Sequence, residues 1–213
     1  MSIAIPPELR ASVLLSKVIA SASFDYRDSL ASPDRGSFHR LTLEFASGAL
    51  GSDLDCFKPT ASTSWIVPLA KPVRAVASAS AGAIVPLFDT EVIPVQERFY
   101  LGGESTIRSY RQDRAGPKIG GDPIGGEAFL LFNLELRVRL PLLEGLEAAV
   151  FGDAGSIAER YRDFGGGRYY FAVGCGLRCR TPFGPLRVDI GFNPDREPEE
   201  SLFAVHAGLG YPF

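Results

Sequence analysis

The sequence predicts an all-β protein, an antiparallel transmembrane β-barrel portion of about nine strands. Three observations carry this reading. From residue 128 to the end the chain alternates repeatedly with a period of two. The two faces so produced differ in kind, one aliphatic and aromatic, the other bearing charges of both signs, glycine and small residues. The composition, with 23 glycines, 16 prolines and 11% aromatic residues against one methionine and one tryptophan, suits many short strands joined by turns.

Bulk properties narrow the class further. With 46% hydrophobic and 22% charged residues in 213, the chain is neither a disordered tail nor a helical membrane protein. A net charge of −3 offers no basic surface to a nucleic acid. No stretch of about 18 uninterrupted apolar residues supplies a transmembrane helix. Barrel strands, however, span a bilayer with only about 9–11 residues of alternating character. Residues 1–10 lack a basic region, and Pro6 and Pro7 follow their few apolar residues, so they do not read as a secretory signal.

The first half of the chain carries four strand-like segments, at residues 13–26, 38–46, 57–67 and 73–84. In the second of them Arg40, Thr42 and Glu44 face opposite Leu41, Leu43 and Phe45. A glycine-rich connection follows at residues 86–126, long enough without a regular pattern to mark a functional loop or a disordered one. Next, Phe132, Leu134, Leu136, Val138 and Leu140 alternate with Asn133, Glu135, Arg137 and Arg139. Ala148, Val150 and Ala154 then oppose Glu147, Phe151 and Asp153. Tyr169, Phe171, Val173, Cys175, Leu177 and Cys179 oppose Tyr170, Ala172, Gly174, Gly176, Arg178 and Arg180. Leu186, Val188 and Ile190 are set against Arg187, Asp189 and Gly191. The last segment sets Phe203, Val205, Ala207, Leu209, Tyr211 and Phe213 against Ala204, His206, Gly208 and Gly210.

A soluble β-sandwich also alternates, with its apolar face buried and its polar face wet. Two details favour a membrane. Charges on the polar faces are complementary, and aromatics gather at segment ends as an interfacial girdle would.

The residues show no catalytic constellation, cofactor motif or metal site, so the chain does not read as an enzyme. His39 and His206 are isolated and read as a turn residue and an inward-facing polar group. Glycines at 120–126 and 165–167 lack the strand-loop-helix setting and lysine of a phosphate loop. Cys175 and Cys179 lie about 13 Å apart along one strand face, beyond the disulfide limit of about 7 Å. They read as small apolar residues.

The long connection reads Arg98-Phe99-Tyr100-Leu101-Gly102-Gly103-Glu104-Ser105-Thr106-Ile107-Arg108-Ser109-Tyr110, then Gly116-Pro117. It resembles the sixth extracellular loop of the BamA/TamA superfamily, with its Phe/Tyr-x-Gly-Gly stretch, Val/Ile-Arg-Gly-Phe/Tyr tetrad and Gly-Pro. Asp25-Tyr26-Arg27-Asp28 with Pro33 and Arg35-Gly36 looks like an earlier strand-to-turn corner of that family. Asn133-Leu134-Glu135-Leu136-Arg137, Phe151-Gly152-Asp153-Ala154-Gly155, Gly176-Leu177-Arg178 and Thr181-Pro182-Phe183-Gly184-Pro185-Leu186-Arg187-Val188-Asp189 look like its closing strands. These pieces cover most of residues 23–213 in the family's order. The ending His206-x-Gly208-x-x-Tyr211-x-Phe213 is similar to the C-terminal β-signal of outer-membrane proteins, an amphipathic strand able to pair by strand addition.

The resemblance implies a bacterial outer-membrane barrel for protein assembly, insertion or translocation, its long loop folded into the lumen. Its partners would be the lipid bilayer, the assembly machinery and client barrel or secreted proteins. The loop motif Ile107, Arg108, Ser109 and Tyr110 would anchor there, Arg108 pairing with Glu135 and Asp153. Ser109 stands where the family has glycine, so a positive φ at that position would be strained. Family barrels have about sixteen strands, within the range of such barrels, and carry periplasmic POTRA repeats. With about nine strands, residues 1–213 read as one barrel domain without POTRA repeats, part of a longer protein. A passive structural barrel or inactive fragment is the alternative.

Overall fold

The computed structural model describes residues 6–10, 12–30, 32–141, 145–181, 184–198 and 200–212. Pro182, Phe183 and Phe213, named above, lie outside them. The strands are β1 (Lys17–Asp25), β2 (Gly36–Ala46), β3 (Cys56–Ala70), β4 (Val73–Ala83), the short β5 (Val85–Pro86), β6 (Lys118–Ile119) and β7 (Asp122–Pro123), then β8 (Ala128–Arg139), β9 (Leu146–Ala158), β10 (Tyr169–Cys179), β11 (Leu186–Phe192) and β12 (Phe203–Leu209). One antiparallel sheet takes the long strands in chain order, β1-β2-β3-β4-β8-β9-β10-β11-β12, with β5 added against β3. Strand existence therefore follows the period-two pattern closely, while the boundaries move. Residues 13–16 fall outside β1, and β3 runs on to Ala70.

Exposure of the two faces excludes the sandwich. Phe132, Leu134, Leu136, Val150, Val173, Leu177, Val188, Ile190 and Val205 are all exposed. Their neighbours Asn133, Glu135, Arg137, Glu147, Asp153, Arg178, Arg187 and Asp189 are buried. A soluble sheet buries the opposite set. Only a solvent of hydrocarbon makes this inversion favourable, because every Å² of exposed aliphatic surface then stays out of water.

Register sets the apolar face in rows. Trp65, Ala77, Leu134, Gly152 and Val173 lie side by side across β3, β4, β8, β9 and β10. Large and small side chains thus alternate from strand to strand. Aromatics mark one end of this face: Tyr169 and Phe171 on β10 stack at 6.4 Å, and Phe192 of β11 and Phe203 of β12 lie 6.3 Å apart.

The two ends of the sheet differ in their connections. Residues 47–55, 84–127, 159–168 and 193–202 join strands at one end. At the other end the links at 71–72, 140–145 and 180–185 are short, with the longer 26–35 as the exception. Short turns on one side and long loops on the other are the pattern of outer-membrane barrels.

Three expectations are corrected. The long connection has regular structure of its own, the β6–β7 pair and the bridges Phe99–Gly126 and Leu101–Ala115. His39 is a residue of β2 and not of a turn; its ring nitrogens meet the Thr63 hydroxyl at 2.8 Å and the Ser37 hydroxyl at 3.0 Å. Those cross-strand and next-but-one hydroxyls satisfy a polar ring inside a strand. Alternation also assigned Tyr211 to the apolar face. The strand ends at Leu209, Gly210 takes φ +94°, and the turn carries the Tyr211 ring to 4.0 Å from the Arg137 guanidinium on the charged side.

The inverted faces give a direct test. Leu134→Arg, in the middle of the exposed apolar face, should cost about 2–4 kcal/mol of stability in lipid vesicles, read from the urea midpoint of unfolding. An unchanged midpoint, as at a soluble protein's surface, would return the sandwich reading.

Candidate functional site

The buried charges of β8, β9, β10 and β11 would be prohibitively costly if left bare of partners. Register puts them within reach of one another: Asn133 lies opposite Asp153, Gly176 opposite Asp189, and Arg178 opposite Arg187. Residues of the long connection cover them. Among those residues is Arg108, which is 0% exposed.

Arg108 is held from three sides. Its Nε and Nη2 donate to the two oxygens of Asp153 at 2.9 and 2.7 Å, a bidentate fork. Nη1 donates to Glu135 Oε2 at 2.6 Å and lies 3.8 Å from Asp189 Oδ2. The backbone N–H donates to Asp153 as well, at 3.0 Å, and the guanidinium carbon stands 3.4 Å from the centre of the Phe151 ring. Burial alone would lower the Arg108 pKa; the hydrogen bonds and charges of Asp153 and Glu135 outweigh it and hold the guanidinium above its ordinary value.

A wider network completes the charge balance. Arg178 donates to Glu135 at 3.0 Å and to Asp189 at 2.6 Å, and Arg137 to Glu135 at 2.7 Å. Arg187 bridges Asp189 at 3.3 Å and Glu104 of the long connection at 3.1 Å. Arg108, Arg137, Arg178 and Arg187 thus face Glu104, Glu135, Asp153 and Asp189, four charges against four.

The rest of the loop motif is equally enclosed. Ile107 packs with Leu101, Tyr110, Leu131, Phe151 and Ile157 in one apolar cluster. Tyr110 donates to Glu200 at 2.9 Å and accepts from Asn193 at 2.6 Å, while Arg168 holds Glu200 at 3.0 Å. The strain expected at Ser109 does not arise. Ser109 is absent from the residues with positive φ, is fully buried, and donates its hydroxyl to the Phe171 carbonyl at 2.6 Å. Room for the chain comes from the wall instead. At Gly191 a Cβ would stand 2.2 Å from the Arg108 carbonyl oxygen.

The C-terminal residues also face this site. His206 Nε2 lies 3.2 Å from the Arg108 carbonyl, which fixes it as the donor. A Cβ at Gly208 would meet Glu104 Oε2 at 2.4 Å. Tyr211 lies beyond, against Arg137. The structure therefore brings Ile107, Arg108, Ser109, Tyr110, Glu135, Asp153, His206 and Gly208 together, with Tyr211 at the margin.

Several residues of the network escaped sequence reasoning. Arg137, Arg178, Arg187 and Asp189 were visible as polar-face residues, and pairing by strand neighbourhood would have linked them. Glu200, Asn193 and Arg168 lie in or beside connections, where no periodicity points at a partner. Among the described residues no group of three or more His, Cys, Asp or Glu side chains could hold a metal ion.

Residues 8–213 match the Omp85 superfamily domain. The outer membrane protein assembly factor BamA of Nitratidesulfovibrio vulgaris is 33% identical over 175 residues, covering 80% of this chain and 22% of that protein. A SAM50-like protein of Schizosaccharomyces pombe is 33% identical over 181 residues, covering 79% of this chain and 38% of its own length. The chain thus spans well under half of these relatives. Among solved structures, BamA from Haemophilus ducreyi lacking POTRA domains 1–3 superposes with a TM-score of 0.72 at 18% identity, over 88% of this chain and 41% of that one. That likeness is one of fold.

Two outcomes follow from the geometry. Arg108→Ala leaves Asp153 and Glu135 buried without their shared cation and should cost about 3–5 kcal/mol; Arg108→Lys, which keeps charge but not the fork, should recover only part of it. Urea unfolding followed by heat-modifiable gel migration measures both. Second, the Tyr110–Glu200 contact should be acid-sensitive. Burial raises the Glu200 pKa, but the Glu197 backbone N–H, Tyr110 and Arg168 hold it below the ordinary 4.5. Its contribution is complete above 4.5 and is lost as pH falls through the depressed folded value. Protease cleavage of the loop should rise over that window in the unaltered chain and show no such rise in Glu200→Gln.

Proposed function

The chain belongs to the Omp85 superfamily, and from that premise we propose that it is an outer-membrane β-barrel of the protein assembly, insertion or translocation type. In this reading the Arg108 loop folds into the barrel lumen and fixes its wall. One observation carries the proposal above the others. A loop arginine is buried against Asp153 and Glu135 on the charged face of a sheet whose reverse is exposed and apolar. A charged interior around an anchored loop, with lipid outside, leaves the strand edges as the places where another chain can add.

The relatives' names supply the activity class. The Nitratidesulfovibrio vulgaris relative is an outer membrane protein assembly factor, and the Schizosaccharomyces pombe relative is a SAM50-like protein. Carried to this chain, that makes the lipid bilayer and the assembly machinery its partners, client β-barrel or secreted proteins its substrates, and the bacterial outer membrane its location. The segment His206, Gly208, Tyr211 and Phe213 would be its own β-signal.

A passive barrel, or an inactive part of a longer protein, is the second reading. The chain spans only 41% of the BamA chain it superposes on, and β1 is exposed along its whole length. Reconstitution separates the two. Vesicles holding the folded chain should accelerate the folding of a urea-unfolded outer-membrane barrel protein, and Arg108→Ala should abolish the acceleration. A client rate equal to that of empty vesicles, with the chain itself heat-modifiable, would leave the passive reading standing.

A further inference from the structure

A second ionic cluster lies at the short-turn end of the charged face, apart from Arg108. Arg74 of β4, Arg139 at the end of β8 and Arg180 just beyond β10 converge there on Glu147 of β9. Arg74 Nη2 is 2.5 Å from Glu147 Oε2; Arg180 Nη2 and Arg139 Nε are 2.7 and 3.5 Å from Oε1. One strand-borne carboxylate against three guanidiniums leaves two positive charges uncompensated. Asp34 meets part of that excess, and it comes from none of these strands. The 26–35 connection between β1 and β2 brings it in.

Asp34 Oδ1 accepts hydrogen bonds from Arg74 and Arg139 and lies 3.4 Å from Arg180 Nη2. The connection is shaped to deliver it. Asp28 Oδ1 accepts the N–H groups of Asp34 at 2.9 Å and Arg35 at 3.3 Å, and Pro33 is buried. Burial raises the Asp34 pKa, but the hydrogen bond from Arg139 and the charges of Arg139, Arg74 and Arg180 prevail and keep it ionised.

This cluster is built differently from the one around Arg108. There four positive charges meet four negative ones, all buried but Glu104; here three meet two, and the Asp34 and Arg139 side chains remain 44% and 42% exposed. Donors are left over in both clusters: Nε of Arg74 here, and Nη2 of Arg137 with Nε of Arg178 and Arg187 there, are buried without a hydrogen-bond partner, while Nε of Arg139 reaches only the long ion pair with Glu147 at 3.5 Å. Guanidiniums arranged around a carboxylate are the standard receptor for that group.

We propose that Arg74, Arg139 and Arg180 form a binding site for the carboxylate of an acidic peptide segment, with Asp34 as its tethered, displaceable resident. The occupant class is read from the resident itself, an aspartate presented on a peptide turn. A short tether gives Asp34 an effective concentration in the millimolar range, so an incoming segment must compete with it. In an outer-membrane barrel the short turns face the periplasm, and the site opens on that side.

Fluorescence anisotropy with the labelled, C-terminally amidated peptide Ser-Pro-Asp, and amidated Ser-Pro-Asn as control, tests this on the full chain in detergent micelles. Asp34→Asn should bind the Asp peptide at least tenfold more tightly than the unaltered chain does, and prefer it at least tenfold over the Asn peptide. Arg139→Gln added to Asp34→Asn should remove that preference. Equal binding of both peptides, or no binding by a heat-modifiable Asp34→Asn chain, overturns the proposal. If that variant does not fold, the unaltered chain answers instead. Excess Asp peptide should speed tryptic cleavage after Arg35 several-fold by freeing the turn, and an unchanged cleavage rate overturns it.

Discussion

Burial of Arg108 against Asp153 and Glu135 is the constraint on which the rest of the molecule turns. Ions removed from water cost several kcal/mol each unless charge and hydrogen-bond geometry are matched. Here the match is made by four successive strands, β8, β9, β10 and β11, and closed by a loop that none of them contains. Without the loop the charged face would need water. With it, that face becomes a packed interior in which Ile107, Tyr110 and Phe151 add apolar contact beside the ions.

Polarity of the sheet follows from the same logic. A face made of arginine, glutamate and aspartate can be an interior only if the opposite face finds a solvent that tolerates Leu134, Val173 and Val205. Hydrocarbon is that solvent, and it also requires each backbone polar group to be satisfied within the sheet. The aromatic pairs at the long-loop end, Tyr169 with Phe171 and Phe192 with Phe203, sit where chain and headgroups would meet.

The interior is not uniform. Around Arg108 the charges balance and solvent is excluded, which favours a fixed geometry. At the short-turn end the balance is incomplete and one carboxylate arrives, partly exposed, on the 26–35 connection, the arrangement proposed to allow exchange. Two arginine clusters on one face thus serve opposite ends, and the difference lies in who supplies the acid: strand residues and an enclosed loop in one case, an exposed turn in the other.

Much of this was written in the residues alone. Period-two alternation assigned Glu135, Asp153, Arg178 and Asp189 to one face because a strand's geometry leaves no other choice. The motif around Arg108 marked the loop, and the four short strand signals upstream of it correspond to β1 through β4. Alternation failed where a backbone turn intervened, as Gly210 did for Tyr211, and where a strand held an isolated polar ring, as at His39. What only the tertiary structure decided is which face is buried, since a sandwich and a barrel share one pattern and differ in their surroundings. It also decided the long-range pairings, Tyr110 with Glu200 and Asp34 with three arginines, because partners supplied by connections follow no period and meet only once the sheet has set their distance.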